Sequence, residues 1–324
     1  MTTLYLEKFC DIEKNFSDFL PKERGSVTAL GFFDGVHTAH RELIRIARKC
    51  ANSKNVPLVI FTFSEESQNF KSSAKRLFTD EEKLLIFEGL GVDFTVVCDF
   101  AAVRELSAEE FVKNFLIAKL NTLTAVSGFN FRFGKGALGD SATLENLMKE
   151  CGREALILDE YKKDGVTVSS SLIRTLLEEK KLLEAARLLG EPYFLTGKVV
   201  HGLGLGINLG FPTVNISLEK NRFALPKGVF LTLVSIRDSL YLGITNVGSC
   251  PTFEEREVHT ETFILDFDGD IYDENIKVYF LDFLREEKKF SSAEELIMQI
   301  NIDKKRAKEL VKEIQWQEIG LNLR

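Results

Sequence analysis

The stretch that most constrains this chain is Gly31-Phe32-Phe33-Asp34-Gly35-Val36-His37-Thr38-Ala39-His40. An apolar run, Val27 to Phe33, leads into it and reads as a buried strand. Arg41 to Cys50 follows and reads as a helix, with Leu43, Ile44 and Ala47 on one stripe. A glycine-rich turn between a strand and a helix is suited to an anion, because free backbone N–H groups and the helix dipole converge on it. His37 and His40 are three apart, so in a first helical turn they share a face. Two imidazoles there can hold a phosphate and stabilise charge growing on a leaving group. The alternative is a polar loop with two surface histidines, although the chain has only four histidines and two fall here.

The residues around this turn repeat strand-like and helix-like stretches. Val56 to Phe63, Asp93 to Cys98 and Leu123 to Gly128 read as strands. Thr79 heads a helix with acids in its first turn, and Ser107-Ala108-Glu109-Glu110 is a capping box ahead of Phe111, Phe115 and Leu116. Such alternation predicts a parallel sheet covered by helices, with ligands bound beyond the C-terminal strand ends. Gly128 to Gly136 adds aromatics, glycines and two cations, which suits a flat ring beside a phosphate or an ordinary glycine loop. Ser169-Ser170-Ser171 starts a helix in which Arg174, one turn in, can reach a phosphate in a bidentate way or stand solvated.

Helical periodicity through Leu182, Leu183, Ala186 and Leu189 stops at Gly190, so the domain boundary is expected there: 1–190 and 191–324. A chain of 324 residues fits two domains. Tyr193–Val200, Val229–Ile236, Leu240–Thr245, His259–Phe267 and Ile276–Phe283 predict a small antiparallel barrel. Two closing helices are expected, the first capped by Ser292 and the second by Asp303. Gly202, Gly204 and Gly206 alternate after His201, so backbone can approach a ligand closely. Thr213 and Asn215 are two apart and share a strand face, where a hydroxyl and an amide oxygen suit Mg²⁺ and phosphate oxygens. Glu261 is in phase with Phe263, Leu265 and Phe267, so it is expected on the inward face, where a carboxylate is paired or acts as a base.

Charge narrows the partners. Residues 1–190 hold 28 acidic and 26 basic side chains, and 191–324 hold 21 and 16. Neither half is basic, which argues against a nucleic-acid partner. Five scattered cysteines without a C-x-x-C pair read as reduced thiols rather than a disulfide frame. Met1 to Cys10 lacks the apolar core of a signal peptide, and no run of about 18 apolar residues exists, so a cytoplasmic protein with no membrane span is expected. The oligomeric state stays open.

Taken in order, these motifs resemble the bacterial bifunctional riboflavin kinase/FMN adenylyltransferase family, also called prokaryotic FAD synthetase. The F-D-G-V-H-x-G-H pattern is Phe33 to His40, G-x-D/N-F-x-F-G is Gly128 to Gly134, and I-S-S-T-x-I-R is Val168 to Arg174. In the second half, G-x-V-x-H-G is Gly197 to Gly202, L-G-F-P-T-x-N is Leu209 to Asn215, N-V-G-x-x-P-T-F is Asn246 to Phe253, and L-R-x-E-x-x-F is Leu284 to Phe290. The resemblance implies a nucleotidyltransferase-type, Rossmann-like α/β domain followed by a riboflavin kinase β-barrel with C-terminal helices. It also implies Mg²⁺, ATP as co-substrate, and riboflavin, FMN and FAD as substrates or products.

Carried over residue by residue, the resemblance makes Glu261, His37, His40 and Arg174 catalytic. Nucleotide would be bound by Gly31, Phe33, Asp34, Gly35, Ser170 and Ser171 in the first half, and by Gly202, Gly204, Gly206, Gly210 and Pro212 in the second. Asn130, Phe131 and Arg285 would contact flavin, and Thr213 and Asn215 would hold Mg²⁺. The chain departs from the family at Ala39 (usually glycine), at Ser64 to Ser67 (usually E-P-H-P), at Ala137 (usually arginine) and at Ile207 (usually arginine). Two alternatives follow: a riboflavin kinase with a degenerate first domain, or a non-enzymatic flavin-binding regulator.

Overall fold

The apolar runs form strands because each buries both faces. Val27, Ala29 and Leu30 of one strand and Leu58 to Phe61 of the next are wholly enclosed, as central strands of a parallel sheet must be. The computed structural model describes residues 1–6, 24–64, 75–200, 211–216, 222–237, 239–249 and 258–321. It divides into two units, Met1–Ser169 and Ser170–Arg324.

In the first unit β1 (Thr2–Leu6), β2 (Ser26–Leu30), β3 (Leu58–Phe63), β4 (Phe94–Cys98), β5 (Thr122–Gly128) and β6 (Glu154–Leu158) form one sheet in the order β1-β4-β3-β2-β5-β6. Every neighbouring pair is parallel. Helices α1 (Thr38–Lys54), α2 (Asp80–Gly89) and α4 (Ser141–Glu150) connect strands, as does α3, in which Ala108–Glu110 runs into a π-helical stretch, Phe111–Ile117. The two capping boxes are present: Thr79 with Glu82, and Ser107 with Glu110. Phe61, Phe111, Phe115, Phe133, Leu144 and Met148 share one core. The edge strands β1 and β6 are not among the strands expected from sequence: β1 has only a short, broken apolar run, and the Ala155–Leu158 run of β6 is partly exposed at the sheet edge.

The second unit opens with α5 (Ser170–Glu178) and α6 (Leu182–Leu189). Strands β9 (Phe194–Val200), β10 (Thr213–Ile216), β11 (Gly228–Ile236), β12 (Ser239–Ser249), β13 (Val258–Ile264) and β14 (Asn275–Arg285) close an antiparallel barrel in the order β10-β13-β12-β11-β14-β9. The first unit ends, after β6 in the chain, with a small hairpin of β7 (Lys162–Lys163) and β8 (Val166–Thr167). The division between units falls earlier than the expected 190/191 boundary. Ala186 belongs to the barrel's own apolar cluster with Leu231, Leu281 and Ile319, and Lys180 lies 3.9 Å over the Phe283 ring.

Two expectations for the second unit are corrected. Asp303 does not start a second closing helix. It sits inside a single helix, α7 (Ala293–Leu310), capped by Ser292, and the chain then makes a short 3-10 turn at Trp316–Ile319. Glu261 does not face the barrel interior. Thr232, Thr245 and Thr262 hydrogen-bond to one another across three strands at 3.0 and 2.9 Å and fill the inside. Phe263, in phase with Glu261, packs with Leu231, Ile244 and Ala307 of α7 on the outer face. The sequence signal misled because both faces of β13 carry apolar residues, so phase alone does not say which face is inside.

Candidate active sites

The first site is built where the chain changes direction across the sheet. From β2 the chain moves to β3 on one side, whereas β5 lies on the other. Such a switch point opens a crevice at the carboxyl ends of the strands. Gly31 follows β2 and Gly128 ends β5, and the two strands are neighbours with Ala29 opposite Val126. The two glycine-rich segments therefore leave the sheet side by side.

The Gly31–His40 turn is tightly folded. Phe33 (φ 51°), Gly35 (φ 78°) and Val36 (φ 35°) all have left-handed backbone. For a β-branched residue such as Val36 this is strained, and strain of this kind collects at functional turns. Phe33 buries its side chain completely, against His40 at 5.3 Å and Phe87 at 5.7 Å between ring centroids. Its ring supports the site from beneath, so only its backbone can serve the expected nucleotide contact. Asp34 is also buried, and its Oδ1 accepts a hydrogen bond from the Leu77 N–H at 3.0 Å, tying the turn to the approach of α2.

His37 is the N-cap residue of α1, but its side chain makes no capping bond. Its ring stacks on His40 at 3.7 Å, 12° from parallel. Both Nδ1 atoms are buried with no hydrogen-bond partner. Burial, with Arg41 adding to it, lowers the His37 pKa to about 4 against the opposing pull of a backbone hydrogen bond. Burial and the neighbouring His37 hold His40 far below the ordinary histidine range. At neutral pH both imidazoles are uncharged N–H donors at the start of a seventeen-residue helix.

Beyond β5, Asn130 is exposed and Phe131 half buried, stacked on Phe133 at 5.7 Å. Gly134 (φ 72°) brings the loop against α3, where an added Cβ would meet the Ala108 nitrogen at 2.8 Å. Ser170, Ser171 and Arg174 stand on α5 in the second unit.

The second site lies on the outer face of the barrel. Asn215 pairs with Glu261, Glu261 with Asn246, Asn246 with Val229, and Val229 with Arg285. This register row brings three expected site residues, Asn215, Glu261 and Arg285, onto one face, since directly opposed residues share a side. Thr213, two residues before Asn215, donates its hydroxyl proton to Glu261 Oε1 at 2.5 Å. Asn215 is buried, Thr213 and Glu261 are half buried, and Pro212 is exposed. The row also adds Asn246. A Cβ on Gly248 would meet Glu287 Oε1 at 2.3 Å and Asn246 Nδ2 at 3.5 Å, so Gly248 makes room for that carboxylate beside the amide. Asn246 and Glu287 lie in separate motifs, and only the folded chain brings both beside Gly248. Gly202, Gly204, Gly206 and Gly210, with Ile207 and Glu65 to Ser67, lie outside the described residues.

Comparison with known proteins finds a family match in each half of the chain. The FAD synthetase family model matches residues 20–172, and the riboflavin kinase family model matches residues 189–311. The Bacillus subtilis bifunctional riboflavin kinase/FMN adenylyltransferase is 34% identical over 291 residues, covering 87% of this chain and 91% of the relative. The chain belongs to the bifunctional riboflavin kinase/FMN adenylyltransferase family. Its activities are phosphorylation of riboflavin to FMN and adenylylation of FMN to FAD. The Listeria monocytogenes relative is 35% identical over 285 residues, covering 86% and 90% of the two chains. The crystal structure of a macrolide-efflux protein from Streptococcus pneumoniae matches with a TM-score of 0.82 at 29% identity, covering 95% of this chain and 99% of that one. Among the described residues no helix is long and apolar enough to cross a membrane.

Proposed function

We propose that the two transfers are divided between residues 1–190, which adenylylate FMN, and residues 191–324, which phosphorylate riboflavin. In the barrel, Glu261 takes the proton from the ribityl hydroxyl as it attacks the γ-phosphorus of ATP, whose bond to the bridging oxygen breaks to release ADP. The observation that carries this role is the Thr213–Glu261 hydrogen bond inside the Asn215–Glu261–Asn246 row. Thr213 orients Glu261 Oε1, and Oε2, with no hydrogen bond among the described residues, meets the substrate.

Thr213 and Asn215 fit a Mg²⁺ site. The Thr213 proton is directed at Glu261, so its oxygen lone pairs remain for a hard cation. Among the described residues no group of three or more His, Cys, Asp and Glu forms a metal cage. Mg²⁺ typically takes one or two protein ligands with substrate phosphates and water. When bound, the ion would neutralise phosphate charge. Gly202, Gly204, Gly206, Gly210 and Pro212 supply backbone for the nucleotide.

In the first unit, the FMN phosphate attacks the α-phosphorus of a second ATP and pyrophosphate leaves. His37 and His40 donate N–H groups to the α-phosphate and leaving group as charge develops. Gly31, Gly35 and the backbone of Phe33 line the nucleotide, and Asp34 holds the turn. On the family pattern alone, Ser170, Ser171 and Arg174 are assigned to phosphate, and Asn130 with the edge of Phe131 meets the flavin. Five scattered cysteines without a C-x-x-C pair support a reducing, cytoplasmic setting.

A chromatographic time course with riboflavin, ATP and Mg²⁺ tests the reading. FMN appears first and FAD follows. FMN accumulating without FAD, when FMN itself is supplied as substrate, would refute an active first unit.

A further inference from the structure

Only two residues of α7 are buried, Asp303 and Ala307. A carboxylate 3% exposed needs strong partners. Asp303 has them: Arg285 Nε donates to Oδ2 at 2.9 Å and Oδ1 at 3.1 Å, Arg285 Nη2 lies 2.9 Å from Oδ2, and Gln299 Nε2 donates to Oδ1 at 2.9 Å. Arg285 ends β14 on the same register row as Glu261. Its Nη1 also donates to the Glu286 carbonyl at 3.1 Å.

A guanidinium offers five N–H groups in a fixed plane. Asp303 takes the side that contains Nε, and Glu286 takes one proton of Nη1. Among the described residues, one N–H on each terminal nitrogen has no acceptor, and the planar fork puts the Nη2 proton of this pair on the side away from Asp303. An unheld arginine would lose rotamer freedom on meeting a substrate, whereas a forked one has lost it already.

We propose that Asp303, steadied by Gln299, is a positioning residue for riboflavin phosphorylation. It holds Arg285 so that the outward N–H pair meets oxygen atoms of the flavin. The inference rests on the reading of Arg285 as a flavin contact.

The test uses the full chain, with riboflavin phosphorylation, FMN adenylylation and thermal unfolding measured on the same preparations. Asp303→Asn keeps the shape but breaks the charged fork. It is expected to raise the KM for riboflavin on the order of ten- to a hundredfold, with a smaller change in kcat and unchanged FMN adenylylation. Asp303→Glu is expected to recover part of the loss. Unchanged kinase constants in a folded Asp303→Asn protein would overturn the proposal. Arg285→Gln separates the two readings. If it leaves the riboflavin KM unchanged, the flavin-contact reading fails. If it raises that KM and Asp303→Asn does not, the positioning role alone fails. Should Asp303→Asn not fold, the exchanged pair Arg285→Asp/Asp303→Arg decides. Recovered folding without kinase activity supports a positioning role, and recovery of both would reduce the pair to a structural clamp.

Discussion

His37 and His40 stack their imidazoles 3.7 Å apart and nearly parallel at the start of α1, each with a buried Nδ1 that has no hydrogen-bond partner. Two positive charges at that separation would repel strongly in a desolvated site. The neutral pair is therefore the resting state, and on the proposed function the donors it would offer phosphate oxygens are uncharged N–H groups.

This fixes a pH dependence. An unfolded histidine titrates near 6.5, and His37 titrates near 4 when folded. Between these values the unfolded chain binds more protons, so stability is complete above about pH 6.5 and falls as pH drops toward 4. The loss from His37 is at most about 3 kcal/mol. The histidine pair is expected to add no inflection near pH 6.5 to FMN adenylylation beyond that of the FMN phosphate itself, whose second pKa is about 6, and to impose its own decline only below about pH 5. A pH–rate profile with FMN as substrate, alongside denaturant midpoints at each pH, checks both.

His40→Ala removes one donor and the ring on which His37 stacks. FAD formation from FMN is expected to fall by about 10²–10³-fold, the scale seen when one pre-set transition-state donor is lost. Riboflavin phosphorylation should continue. Loss of both activities in a folded protein would contradict separate sites.

Glu261→Gln keeps the Thr213 contact available but cannot accept a proton. Riboflavin phosphorylation is expected to fall by roughly 10²–10⁴-fold, while supplied FMN is still converted to FAD. Product chromatography with each flavin as sole substrate reads the result directly.

Gly134→Ala tests the loop beyond β5. The residue has φ 72°, and its Cβ would stand 2.8 Å from the Ala108 nitrogen, which is backbone and does not yield readily. A destabilisation of more than about 1 kcal/mol is expected, with weakened FMN binding. Thermal unfolding and FMN fluorescence titration measure the two effects. Equal stability to the parent chain would show that α3 can move aside.

The sequence by itself determined the elements and the chemistry within short stretches. Strand β2, the turn and α1 are contiguous, so their apolar run, glycines and histidine spacing are visible without any partner. The capping boxes at Thr79 and Ser107 are legible for the same reason, because each is closed within one helical turn. Motif order across both halves carried the family.

The tertiary structure decided what depends on pairing. The outward phase of Glu261 follows from a threonine row that fills the barrel from three different strands. The row Asn215–Glu261–Asn246–Val229–Arg285 is set by strand register, which no local pattern encodes when both faces of a strand carry apolar residues. Asp303 reads as a helix cap in sequence, since aspartate favours caps. It is instead buried in mid-helix because Arg285, eighteen residues earlier in the chain, arrives beside it with a matching charge. Local propensity sets what a segment can be; burial against distant partners sets what each side chain is used for.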